Sequence, residues 1–226
     1  MSELARERNR RGEGARLRDE ILAGATEVLE RTGNEEAVTL RAVARQVGIS
    51  APSIYAHFAD REAIVDAIVD AAFSDFNAAI QAGRDAAVQA GGGPRERLRA
   101  GCAAYLEFAA ERPNRYKLLF DRQDLLNETI PPVRTESFRQ LVASVQECVQ
   151  AGLSASDDPA RDATAIWVAL HGFATLHSWL PGFPWPGTDA LLDRIVYGLA
   201  QIRDAPKSIS PEEKHRRKSH EYRTAT

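Results

Sequence analysis

Between Thr39 and Ala67 the chain reads TLRAVARQVGISAPSIYAHFADREAIVDA. The polar side chains here are hydrogen-bonding types rather than catalytic ones. Thr39, Ser50, Ser53 and Tyr55 offer hydroxyls, His57 a ring nitrogen, and Arg41 and Arg61 a forked guanidinium that suits a phosphate or a guanine edge. The apolar residues between them keep helical spacing. Leu40, Val43, Ala44 and Val47 form one short inward face, Ile49 fills the turn, and Ile54 and Phe58 belong to a second helix. Gly48 supplies the positive φ that ends the first helix sharply. Two short helices joined in this way form a helix-turn-helix, whose second helix lies in the DNA major groove with its first residues at the base edges. The same spacing also serves a plain helical hairpin.

Other chemistry finds little support. No GxSxG, HExxH, P-loop or dinucleotide glycine fingerprint is present. Gly91-Gly92-Gly93 lacks a following Lys or Ser/Thr and reads as a flexible link. His171 and His177 sit in an apolar helix but are not i, i+4 neighbours, so each reads as a satisfied core histidine rather than a metal ligand. Cys102 and Cys148 occupy apolar positions without CxxC spacing and read as buried, reduced thiols. No catalytic residue, metal or cofactor is expected.

The elements that must position these groups are helical throughout. Leu17, Ile21, Ala25, Val28 and Leu29 make one stripe, stopped by Gly33. Thr39, Ser50 and Asp60 read as N-caps, and Pro52 falls in the first turn of its helix. A long fourth helix carries Ile64, Val65, Ile68, Val69, Ala72, Phe73 and Phe76. Five more follow, restarted by Pro94, Pro113, Pro131-Pro132, Asp158-Pro159 and the Pro-rich loop 181–187; the ninth carries Leu191, Leu192, Ile195, Leu199 and Ile202. Strand signals are nearly absent. The net charge of −3 hides a pattern: residues 1–18 and 205–226 are each +3, which leaves the acidic remainder at −9. Basic tails are compatible with touching phosphates; an acidic body is not compatible with coating a polyanion. The N-terminus lacks the apolar stretch of a secretory signal, and no apolar run is long enough to span a bilayer, so a cytoplasmic protein with no membrane partner is expected.

The residues Thr39-Leu40-Arg41, Ala44, Gly48-Ile49-Ser50, Ile54-Tyr55, His57-Phe58 and Asp60-Arg61-Glu62 resemble, in register, the DNA-binding head of the tetracycline-repressor (TetR) family. Trp167-x-x-x-His171-Gly172 is similar to the C-terminal WHG subtype. The resemblance implies roles by position. Thr39, Tyr55, His57 and Arg61 would hold backbone phosphates, and Arg41, Ser50, Ala51, Pro52 and Ser53 would face the bases. The family often has Lys or Gly near Ala51 and Pro52, and usually Lys where this chain has Arg61.

The resulting expectation is an all-α protein. Residues 1–15 form a basic flexible arm, 16–62 a three-helix DNA-binding head, 63–204 a six-helix ligand-binding and dimerisation body, and 205–226 a basic flexible tail. The body's aromatic and polar side chains Tyr105, Phe108, Phe120, Phe138, Trp167 and His171 are candidates for a small-molecule site, though such residues also fill ordinary helical cores. The eighth helix is apolar nearly all round and needs cover from a second copy. The expected partners are a palindromic double-stranded operator, a twofold mate and a small effector that shifts the fourth helix and respaces the two heads. An activator, a DNA binder without a ligand, and an all-α enzyme with a look-alike head remain alternatives at this point.

Overall fold

Ile21, Ala25, Val28 and Leu29 are all buried, and they seal one face of the first helix, α1 (Glu13–Thr32). The computed structural model of the chain describes residues 13–121 and 131–203. The basic arm is outside these residues up to position 12, and the tail 205–226 is outside them entirely. Because α1 already begins at Glu13, the last three residues assigned to the arm are helical.

A single 3-10 turn at Glu35–Ala37 follows, with Asn34 Oδ1 accepting from the Glu36 amide at 2.9 Å. Helix α2 (Leu40–Val47) opens on Thr39, whose hydroxyl accepts from the Ala42 amide at 3.2 Å, and closes on Gly48 at φ 73°. Helix α3 (Ala51–Ile54) is a single turn. Ser50 stands at its N-cap with extended backbone, but its hydroxyl does not cap; it bonds the Ser53 hydroxyl at 2.7 Å. The reason is local. The second helical position is Pro52, which has no N–H, and the third amide, Ser53, is already given to the Ser50 carbonyl at 3.0 Å.

Asp60 caps α4 (Arg61–Gln89) through the Ala63 amide at 2.8 Å, and the whole predicted stripe from Ile64 to Phe76 is buried. Helices α5 (Pro94–Glu111), α6 (Pro113–Asp121), α7 (Pro132–Gln150), α8 (Pro159–Trp179) and α9 (Thr188–Leu199) complete the described fold. Asp158 caps α8 through Arg161 as its type predicts. Ile202, expected on α9, lies beyond it and makes an isolated β-bridge with Ser154.

The glycine run at 91–93 is a tight turn rather than a flexible link. A Cβ on Gly92 would lie 2.8 Å from the Ala87 carbonyl, and the Gly93 amide donates to Glu96 at 2.9 Å. The turn folds α5 back along α4, where Gly83 lets the backbones close up: a Cβ there would meet both the Ala100 carbonyl and the Ala104 methyl at 3.0 Å. Gly24 does the same between α1 and α2, because its Cβ would overlap Val47 at 2.5 Å. Helix α6 ties α1 to α4. Asn114 donates to the Glu30 carbonyl at 3.0 Å, and Arg115 reaches the Glu30 carboxylate and, at 2.5 Å, Asp75 on α4.

Candidate DNA-binding face and body cavity

Helices α2 and α3 bury Val43, Ala44 and Ile54, with Phe58 just beyond, and turn their polar residues outward. Thr39, Arg41, Ser50, Pro52 and Tyr55 are exposed, Tyr55 to 58%. Ala51, Ser53, His57 and Arg61 are half-buried. Phe58 is a core ring, covered by the Arg18 guanidinium at 4.7 Å. Arg41 pairs with no acid among the described residues, whereas Arg61 donates to the Glu35 carbonyl at 2.7 Å and meets the carboxylates of Glu35 and Glu62. That tie between the start of α4 and the 35–37 turn was invisible in the sequence, since it joins positions 26 residues apart.

A cavity of about 550 Å³ opens among α4, α5, α7 and α8. Of the six residues singled out for a ligand, Tyr105, Phe120, Phe138, Trp167 and His171 line it. Phe108 does not; it is buried against Phe76 and beneath the Arg112 guanidinium. Phe120 and Phe138 both approach Trp167, with ring centroids 6.4 and 5.9 Å away. Two of the lining residues, Tyr105 and His171, are joined by a relay through Tyr116, which does not itself line the cavity. The hydroxyls of Tyr105 and Tyr116 bond at 2.7 Å, and Tyr116 bonds His171 Nδ1 at 2.8 Å. Burial pushes the Tyr116 phenol up to about 12, and burial together with the Tyr116 neighbour pushes Tyr105 higher still, so both are neutral hydroxyls at physiological pH.

Sequence reasoning passed over Tyr116 as a polar group and missed Arg84, Gln140 and Ser144, which line the cavity. Arg84 is followed by Asp85 and preceded, three residues earlier, by Gln81, so its sequence neighbourhood reads as a solvated face and carried no signal. Cys102 is part of the same wall, its thiol pushed up to about 12 by burial, and Cys148 is buried and likewise free. A second hollow of about 400 Å³ lies among α5, α6, α8 and α9, with Glu107 and His177 on its walls. Among the described residues no group of acids, histidines and cysteines could hold a metal, and no helix is long and apolar enough to cross a membrane.

A short outward helix after a left-handed glycine turn, packed continuously onto a larger helical body, is the geometry of a helix-turn-helix DNA-binding protein. Known proteins match both parts. Residues 21–68 match the family described as bacterial regulatory proteins, tetR family, and residues 98–199 match the family described as tetracyclin repressor-like, C-terminal domain. The chain belongs to the TetR family. A solved protein of unknown function from a Rhodococcus species is 29% identical with a TM-score of 0.69, covering 88% of this chain and 100% of its own. A TetR-family transcriptional regulator from Pectobacterium atrosepticum is 22% identical with a TM-score of 0.63, covering 88% and 100%. The TetR-family transcriptional regulator PfmR from Thermus thermophilus is 22% identical with a TM-score of 0.56, covering 78% and 96%. Among curated proteins there is no match.

Proposed function

We propose that the protein is a homodimeric repressor that leaves a palindromic operator when a small apolar or aromatic molecule occupies the body cavity. The observation that carries this reading is the double duty of α4. It begins at the end of the DNA-binding head, at Asp60 and Arg61, and farther along it supplies Phe73, Ile80 and Arg84 to the cavity wall. Helix α6 adds a second route, because Tyr116 belongs to the relay while Asn114 and Arg115 grip the end of α1. A ligand that draws His171 or Tyr116 out of that relay shifts α6 and α4 together. Two heads held at the wrong separation cannot enter successive major grooves about 34 Å apart, so operator affinity falls.

A second copy is supported by α8. Val168, Leu176, Trp179 and Leu180 are exposed at helical spacing along one side, and Trp179 is 74% exposed. Gly172 belongs to the same stripe, and nothing lies within 4 Å of where its Cβ would be. A self-complementary contact between two such helices would cover it.

The test of the effector site uses Trp167→Ala. Effector candidates come from a thermal-shift screen, and operator fragments come from selection in a random pool. The alanine variant is expected to hold operator as tightly as the parent and to lose effector-induced release. Equal loss of operator affinity and release, with a lowered melting temperature, would make Trp167 a packing residue only.

On the DNA side, Thr39, Tyr55, His57 and Arg61 hold phosphates, and Arg41 with Ser50, Ala51, Pro52 and Ser53 faces the bases. Arg61 keeps Nε–H and further guanidinium protons for an anion beyond its internal bonds. Arg61→Ala is expected to weaken operator and random DNA about evenly and to reduce the log–log salt slope by about one unit. It should also lower the melting temperature by a few degrees, because the Glu35 carbonyl loses its donor. A changed operator preference in this variant would instead make Arg61 a base reader.

A further inference from the structure

We infer that the molecule this cavity takes is an amphipathic monocarboxylate, its carboxylate at Arg84 and its hydrocarbon part along the aromatic wall. The inference rests on the effector reading above and adds the chemical class. Phe73 and Arg84 both line the cavity and both stand on α4, eleven residues apart. At 1.5 Å per residue that is about 16 Å, so the space is elongated, with rings toward one end and a guanidinium toward the other. The wall is mostly apolar, from Ile80, Leu98, Leu141 and Leu170, with Gln140 and Thr164 among its polar exceptions.

At the guanidinium end the arginine is incompletely paired. The Arg84 side chain is 13% exposed and donates to the Ser144 hydroxyl and, at 3.3 Å, to Glu147. Glu147 is shared: its second oxygen accepts from Arg97 at 2.9 Å. Two guanidiniums divide one carboxylate, and among the described residues neither pairs with another acid. Glu96 acts on the same buried neighbourhood, so the feature of this end is an arginine on the cavity wall with only a shared acid as partner, rather than a net excess of charge. Arg134, the other arginine on the wall, is different. It meets Asp70 at 2.8 Å and Asp66 at 3.5 Å, so no charge is left over to attract an anion.

A guanidinium that shares its acid and faces an apolar volume gains from an incoming anion. The Arg84 fork matches a carboxylate and has donors beyond those it already uses. Gly101 makes room for this arrangement, since a Cβ there would press the Arg84 stem at 3.2 Å. A monocarboxylate gives Arg84 an acid of its own, an alcohol of the same length gives it none, and an amine brings a like charge.

The test is calorimetric titration of the full chain with decanoate, decanol and decylamine, each also followed by thermal shift. Decanoate is expected to bind at least about tenfold more tightly than decanol, with decylamine weakest. Arg84→Gln is expected to weaken decanoate by about tenfold or more and to leave decanol unchanged. Glu147→Gln, which removes the shared carboxylate, is expected to tighten decanoate. This change of opposite sign decides the matter even where Arg84→Gln fails to fold. Decanoate that binds no better than decanol, or that ignores both substitutions, overturns the carboxylate class. The effector reading then still stands if decanol or another neutral compound releases operator in a Trp167-dependent way. It falls with the class if no compound, charged or neutral, does so.

Discussion

Phe76→Ala is expected to remove about 3–5 kcal/mol of stability, among the largest effects any single truncation in this chain can have. Phe76 is 1% exposed at the middle of α4, and its ring meets the edges of Tyr105 and Phe108, each with centroids 5.1 Å away. Truncation loses the transfer free energy of the ring, the edge-to-face contacts, and the packing of two α5 aromatics over the void. For a protein of this size the melting temperature should fall on the order of 10 °C, read by circular dichroism at fixed protein concentration. Phe76→Leu keeps most of the volume and should cost about 1 kcal/mol. Tyr105 leans on Phe76 and also belongs to the relay, so the alanine variant should respond poorly to effector at temperatures where it is still folded. An alanine variant that melts with the parent would show that this part of α4 collapses freely and is no rigid wall.

Arg41→Ala is expected to erase one guanine preference in each operator half-site while leaving the rest of the site unchanged. From Ala51 to His57 the chain has no Arg, Lys, Asn or Gln, the side chains that bond guanine or adenine in two places. Ser50 and Ser53 spend a hydroxyl bond on each other, which leaves them permissive contacts. Ala51 and Pro52 offer apolar surface suited to a thymine methyl. Arg41 is exposed, unpaired among the described residues, and one residue into α2. Replacing the specified guanine should cost the parent about 1–3 kcal/mol and the variant nothing. Selection from a random pool with both proteins reads this directly. If the guanine preference survives in the variant, Arg41 holds a phosphate and the base-reading scheme fails.

Most of the fold is legible in the sequence because its determinants are local. Thr39, Asp60 and Asp158 cap the next turn, Gly48 ends α2, and the stripe from Ile64 to Phe76 needs only its own spacing to declare a buried face. What was not legible depends on partners distant in sequence. Phe108 and Tyr105 lie on the same helix, yet only the packing of α4 sends one to the core and the other to the cavity. The relay joins α5, α6 and α8 across separations of 11 and 55 residues, and no periodicity announces it. The Ser50 hydroxyl went to Ser53 through a local effect that the cap rule alone overlooks, the missing amide of Pro52. Gly24 and the 91–93 run did carry a signal. Glycine inside an amphipathic helix marks a close crossing, and three glycines in a row can be compressed as readily as they can be loose.

The placement of the tryptophans has a spectroscopic consequence. The chain has three, Trp167, Trp179 and Trp185, all on α8 or the loop behind it. Trp167 stands in the cavity wall beside His171, Trp179 is on the exposed side of α8, and Trp185 meets Phe173 edge-on and packs at a tilt against His177 and Phe183. The DNA-binding segment carries Tyr55, just after α3, and no indole. Intrinsic emission from this protein is therefore a built-in optical reporter of the body and its occupant. No indole lies on α2 or α3, so a change of colour or intensity on adding DNA alone reports a change in the body, at the cavity or on the exposed face of α8.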